Sequence, residues 1–148
     1  MKFKYYSNEE LKRDCDIISN QYIRDNGKPD LIVGIVRGGL IPAVYISHKT
    51  KTPMTTVSVS LRDHVNVDWS SFETVNKFVL HNRKILFVDD LTDSGKTLSM
   101  ISKKYGKSIK TSVLIHNTSQ NICVPDYYGS IIDKEKDDRW IIFPWEEQ

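Results

Sequence analysis

Histidine, cysteine, glycine and proline are all sparse in this chain of 148 residues, which has 4 His, 2 Cys, 7 Gly and 5 Pro. Cys15 and Cys123 are far apart and have no metal-ligand spacing, so neither a disulfide scaffold nor a zinc knuckle is expected. No H-x-x-x-H or H-E-x-x-H pair exists, which argues against a zinc hydrolase. Long apolar runs are missing too: nothing approaches the ~18 residues of a membrane span, and the start, MKFKYYSNEELK, lacks the apolar centre of a signal peptide. A soluble protein of the reducing cytoplasm, with no membrane partner, is the expectation. Lys plus Arg number 21 against 19 Asp plus Glu, a formal charge of +2, so no polybasic face announces a nucleic-acid partner.

What is present is a single α/β alternation without repeats or linkers, long enough for one domain, 1–148, with a real core. Ser7 with Glu10 reads as a capping box, and Leu11, Cys15, Ile18 and Tyr22 share one face of a helix ending near Gly27. Strand 31–36, helix 40–50, strand 54–60, strand 84–89, helix 96–105 and strand 110–115 follow. Pro42 is tolerated in the first turn of its helix. Such an order predicts a mainly parallel central sheet flanked by helices on both sides. Residues 117–148 are expected to return as short strands and turns, forming a small C-terminal hood over the strand ends.

The most informative run is ILFVDDLTDSGKT, Ile85 to Thr97. Ile85 to Val88 suit a parallel strand buried on both faces, and open α/β sheets place ligands at the carboxyl ends of such strands. Asp89 and Asp90 follow there, pointing to opposite sides if the strand continues. Next come Thr92, Asp93, Ser94, Gly95, Lys96 and Thr97 ahead of a helical segment, so that backbone N–H groups can converge on an anion. Acids first and an anion nest second suit a ligand with hydroxyls and a phosphate.

A nucleotide P-loop is excluded, because its first glycine would have to stand where Asp90 does. Plain helix capping by Asp93 or Ser94 accounts for one polar residue of the six. A response-regulator acid pocket would need further acids on other strands. Upstream, Leu31 to Val36 read as a second buried strand, closed by the sharp turn Arg37-Gly38-Gly39. Glycines let a backbone approach a ligand closely, and Arg37 brings a fixed charge. The spacing does not fit the dinucleotide fingerprint G-x-G-x-x-G. At the other end, Trp140-Ile141-Ile142-Phe143-Pro144-Trp145-Glu146 offers flat indoles; Trp145 reads as a core residue, Trp140 as a surface on which a base could stack.

The Asp89–Thr97 run resembles the D-D-x-x-D-[S/T]-G-x-T motif of type I phosphoribosyltransferases, which binds phosphoribosyl diphosphate (PRPP). The Arg37 turn is similar to that family's pyrophosphate loop, and the Trp140–Glu146 ending to that of its short xanthine-guanine members. The resemblance implies a transferase fold that moves a phosphoribosyl group from PRPP to a purine, as in purine salvage, with Mg²⁺ as cofactor. It further implies that Arg37, Gly38, Asp89, Asp90, Thr92, Asp93, Ser94, Gly95, Lys96 and Thr97 hold PRPP. Asp89 and Asp90 would meet the metal through ribose hydroxyls or water, with Glu146 a weaker metal candidate, and Asp93 would orient the proton on the base. Trp140 would stack on the base and Ile141 offer backbone groups to its edge. A homodimer or homotetramer is expected.

One departure stands out. Where the related purine enzymes carry a lysine at the end of the strand before the hood, this chain has Val113-Leu114-Ile115-His116 and then Asn117. His116 or Asn117 could donate to a 6-oxo group, but neither is a fixed cation. The choice among xanthine, guanine and hypoxanthine therefore stays open. So do a non-purine acceptor and a PRPP-sensing regulator of the same fold. Residues 62–78 are either an active-site loop, with Arg62, Asp63 and His64 as candidates, or an excursion carrying a short helix from Ser71 to Val79 packed down by Trp69 and Phe72.

Overall fold

A computed structural model describes residues 1–60, 66–120 and 122–146. Arg62, Asp63 and His64 lie outside the described residues. The elements are β1 (Phe3–Tyr5), α1 (Asn8–Asn26), β2 (Leu31–Val36), α2 (Leu40–Thr50), β3 (Met54–Ser60), β4 (Asn66–Asp68), α3 (Glu73–Leu80), β5 (Ile85–Thr92), α4 (Lys96–Tyr105), β6 (Lys110–Asn117), β7 (Tyr127–Ile132) and β8 (Trp140–Ile142). Short 3₁₀ turns, Trp69–Phe72 and Gly106–Ser108, precede α3 and follow α4.

Six strands form one sheet in the order β4-β3-β2-β5-β6-β7, parallel throughout except for the antiparallel pair β3 and β4. Alternate residues of the central strands supply two cores, as the two-residue period of a strand requires. Leu86 and Val88 of β5 pack on the α1 and α2 side with Leu11, Ile18 and Ile46. Ile85 and Phe87 pack on the other side with Phe72, Val75, Leu98 and Ile101. Helices on both faces and buried, near-continuous apolar strands are the consequence of this parallel pairing.

Local signals in α1 hold in detail. The Glu10 N–H donates to the Ser7 hydroxyl at 3.0 Å and the Ser7 N–H to the Glu10 carboxylate at 3.2 Å. Buried Asp14, farther along, accepts from the Ser130 hydroxyl at 2.7 Å and from the Tyr6 hydroxyl, tying α1 to β7 and to the N-terminal segment. Each of those bonds offsets part of the cost of burying a carboxylate.

Three differences from the sequence reading bear on the site. β5 runs to Thr92 and β6 to Asn117, farther than 84–89 and 110–115, because their polar ends still pair: Asp89 with Val113, Leu91 with Ile115 and Thr92 with His116. Within 117–148, β7 belongs to the main sheet as its edge strand beside β6. β8 alone stands apart, pairing in parallel with β1, a strand not anticipated from MKFKYY. The stretch 66–80 is a packed excursion: Phe72 is fully buried beside Phe87 and Tyr105, and Trp69 lies 4.9 Å from Phe72 under the Lys104 ammonium.

Candidate active site

Two parallel strands and two helix starts make the site. β2 ends at the Arg37-Gly38-Gly39 turn into α2, and β5 ends at the 93–95 turn into α4. Between them lies a cavity of about 260 Å³ whose walls include Arg37, Gly38, Asp89, Asp90 and every residue from Thr92 to Thr97. All ten residues read as PRPP contacts thus face one space. Val59, near the end of β3, also lines it; its only signal in the sequence was its place in the strand next to β2.

The two acids differ in surroundings. Asp90 continues the parity of Leu86 and Val88 and lies against Gly38, where any Cβ would collide with its carboxylate. The absent side chain lets the α2 turn close onto β5. Asp89, on the opposite parity, accepts the Asp90 N–H at 2.8 Å. Burial, reinforced by the neighbouring Asp90 charge, pushes the Asp89 carboxyl well above the usual range, and burial also raises Asp90. The Val36–Arg37 peptide bond is cis.

The turn beyond leads into α4. Gly95 is the residue before α4, at φ 81°, a left-handed conformation that suits glycine, and a Cβ there would fall 2.6 Å from the Gln120 side chain. No side chain caps α4. The Lys96 N–H reaches the Ser94 hydroxyl at 3.4 Å, and the other first-turn N–H groups stand open at the positive end of the helix dipole. Asp93 and Lys96 are exposed at the rim, while Thr92 and Thr97 are buried.

The expected base readers are arranged differently. None of His116, Asn117, Trp140, Ile141 and Glu146 is among the residues lining the 260 Å³ cavity. His116 is buried, 2.7 Å through Nδ1 from the Thr92 hydroxyl and with its ring 5.3 Å from that of Tyr128. Its pKa is lowered by burial. Asn117 is committed on all sides. Its Nδ2 donates to the Asp93 carbonyl at 3.0 Å, its N–H to the Thr92 hydroxyl at 3.2 Å, and its Oδ1 accepts from Ser119 and from the Lys134 N–H. So placed, Asn117 joins the 93–95 turn to the hood; nothing in the residue pattern alone signals that linkage.

Trp140 is 54% exposed on β8, with the Lys134 ammonium 5.7 Å from its ring centre. The Trp140 N–H and the Ile142 carbonyl serve the ladder to β1. By the alternation of a parallel ladder, the Ile141 peptide groups face the open side of the strand, although the Ile141 side chain is core. Trp145, expected in the core, is partly buried and packs flat on Phe143 at 4.9 Å against the edge of the core. Burial and the Asp90 charge raise the Glu146 carboxyl, so the C-terminal segment brings a third acid within electrostatic range of the β5 pair.

An α/β sheet with an arginine turn at the end of one strand and an acid pair followed by a glycine turn at the end of the next frames this cavity. The phosphoribosyl transferase domain family matches residues 4–148, and the chain belongs to it. A xanthine-guanine phosphoribosyltransferase of Cereibacter sphaeroides is 30% identical over 129 residues, 82% of this chain and 72% of that protein. The crystal structure of a purine phosphoribosyltransferase from Pyrococcus horikoshii superposes with a TM-score of 0.75 at 30% identity, covering 100% of this chain and 96% of that one. A Helicobacter pylori xanthine-guanine-hypoxanthine phosphoribosyltransferase shares the fold, with a TM-score of 0.77 at 21% identity, 97% of this chain and 91% of that one being covered.

Proposed function

We propose that this phosphoribosyltransferase moves the 5-phosphoribosyl group from PRPP to a 6-oxopurine base, releasing diphosphate and giving the nucleoside 5′-monophosphate. The observation that carries this reading is the convergence of Arg37, the acid pair and the free α4 N-terminus on one cavity. The 5′-phosphate would sit on the Thr92–Thr97 turn, the ribose hydroxyls at Asp89 and Asp90, and the diphosphate at Arg37 and the Gly38 amide. Negative charge grows on the departing diphosphate, so a fixed guanidinium and backbone donors aimed there lower the barrier. Asp93, at the rim, is suited to orient the proton on the attacking nitrogen. Relatives whose names specify xanthine and guanine support a purine acceptor.

Magnesium fits these residues. The donors are carboxylate oxygens, and among the described residues no group of three ligands forms a cage that would hold a metal by protein alone. A hard cation that keeps water and shares substrate oxygens suits such a half-site. Bound with PRPP, Mg²⁺ would neutralise diphosphate charge.

Incubation with PRPP, Mg²⁺ and xanthine, guanine, hypoxanthine, adenine and uracil, with diphosphate release measured for each, tests the proposal. Turnover with at least one 6-oxopurine and little with adenine or uracil is expected. Release with none of the oxopurines would refute it.

A further inference from the structure

At the amino ends of β5 and β6, the end of the sheet opposite the active site, lies a second cavity of about 430 Å³. Two helix-to-strand returns and the end of α1 enclose it. The α3–β5 return supplies Arg83 and Lys84, the α4–β6 return Lys107 and Lys110, and α1 supplies Tyr22 and Asn26. Asn82, at φ 55°, turns the first of these returns.

The charge of this cavity is one-sided. No carboxylate lines it, and none of the four cations makes an ion pair among the described residues. Two acids stand just outside the lining: Asp30 accepts the Lys84 backbone N–H at 2.8 Å and acts electrostatically on Tyr22, and Asp25, held by Arg24 and by the Tyr127 hydroxyl, is within electrostatic range of Lys110. Lys84 spends its ammonium on the Asn26 carbonyl at 2.6 Å, which leaves Arg83, Lys107 and Lys110 to serve a ligand.

Tyr22 gives a second, independent sign. It is 2% exposed, its ring packs on Tyr127, and its hydroxyl has no hydrogen-bond partner among the described residues. Ser19 Oγ is the sealed, unpartnered side-chain oxygen among those residues, so the Tyr22 hydroxyl is not sealed, and Tyr22 lines this cavity. A buried phenol rarely goes without a partner.

We propose that this cavity binds the phosphate chain of a small oligophosphate, with the Tyr22 hydroxyl donating at its floor and Arg83, Lys107 and Lys110 neutralising the chain at its rim. Several cations around one hydrogen-bond donor call for a multiply charged anion. Among the described residues, Tyr22 is the one ring in the lining and is itself buried, so they offer a nucleobase no open ring to stack on. The site is separate from the transfer reaction and does not depend on it.

Calorimetric titration with inorganic triphosphate, in parallel with adenosine triphosphate, tests the proposal on Arg37→Ala, in which the active-site cavity has lost its arginine. A binding event is expected to survive there with similar affinity for both probes, and to weaken at raised salt. Adding Arg83→Ala and Lys107→Ala should weaken it about tenfold or more, and adding Tyr22→Phe alone a few-fold, as expected for charge-assisted and single hydrogen bonds respectively. Diphosphate release from PRPP should be unchanged when those substitutions are made in the wild-type chain. No binding to Arg37→Ala, or equal weakening by the control pair Lys12→Ala and Lys103→Ala, would overturn the site. Much tighter binding of adenosine triphosphate would overturn recognition through the phosphate chain alone.

Discussion

The Asp89–Thr97 turn and the hood above it sit at the same end of the sheet but are held together in opposite ways. In the turn, most donors and charges are left unspent: α4 starts without a side-chain cap at Gly95, and the two adjacent, partly buried carboxyls have raised pKa values. Where β6 meets the hood, polar groups are already used, Asn117 bridging three segments and His116 bound to Thr92. An unsatisfied polar group in a folded protein costs free energy unless a ligand or water meets it. The turn is thus organised for something that arrives, and most of the hood for holding its own shape, with Trp140 the exposed exception.

The largest effect that can separate the two regions lies in the acids. Asp89→Asn and Asp90→Asn keep shape and remove charge, so diphosphate release from PRPP should fall by about 100-fold or more. Stability should move the other way in Asp89→Asn. The folded pKa of Asp89 is raised, so its ionised form costs stability at neutral pH, a cost that vanishes as pH falls below the ordinary value of 3.8. Removing the charge should therefore add about 1 kcal/mol at pH 7, roughly 2–8 °C in melting temperature. The gain should shrink on acidification. A variant that is both inactive and less stable at pH 7 would show the pair to be structural.

Trp140 sharpens the comparison from the hood side. Trp140→Ala should raise KM for the base about 10- to 100-fold, the range for a lost stacking partner of ~1–3 kcal/mol. KM for PRPP should hardly change, since Trp140 does not line the Asp89–Thr97 cavity. With 54% of its surface exposed, the ring leaves little packing to lose, so melting should be nearly unaffected. Intact base kinetics with lowered stability would return Trp140 to a packing role.

Legibility in the sequence follows the same divide. The turn is written in consecutive residues, because strand, glycine and helix start are local events, and its ten expected residues do converge on one cavity. Ser7 and Glu10 were legible for the same reason. The hood depends on partners distant in the chain. β8 pairs with β1, and Asn117 meets Asp93 and Lys134, contacts for which neither residue carries a local signal. The polar ends of β5 and β6 read as loop on composition alone, yet they pair with each other in register. Tertiary pairing overrides weak strand propensity there.

Asn117 is where the two regions can be uncoupled. Asn117→Asp keeps an acceptor for Ser119 and Lys134 but replaces the donor to the Asp93 carbonyl with a repelling oxygen. A loss of about 1–3 kcal/mol is expected for the broken buried bond. KM for PRPP should rise several-fold, more than KM for the base. Equal rises in both would mean that Asn117 contacts the base itself.

The smallest expected effect belongs to His116, and it runs against that of Asp89. Burial lowers the folded pKa of His116 below its ordinary value of 6.5, so its contribution to stability is complete above that value. It is lost as pH falls from there through the folded pKa, because the unfolded chain takes up the proton first. Asp89, whose folded pKa is raised, makes acidification favourable instead, so the bare pH profile of the wild type mixes two opposed terms. Substitution separates them. His116→Gln can still bond the Thr92 hydroxyl and cannot titrate; its melting temperature should fall less than that of the wild type between pH 7 and 5, by an amount corresponding to less than about 1 kcal/mol. The same comparison in an Asp89→Asn background should give an unchanged difference, since the two groups act independently. If His116→Gln follows the wild-type curve, His116 keeps an ordinary pKa, is open to solvent, and regains its place among candidates for reading the base.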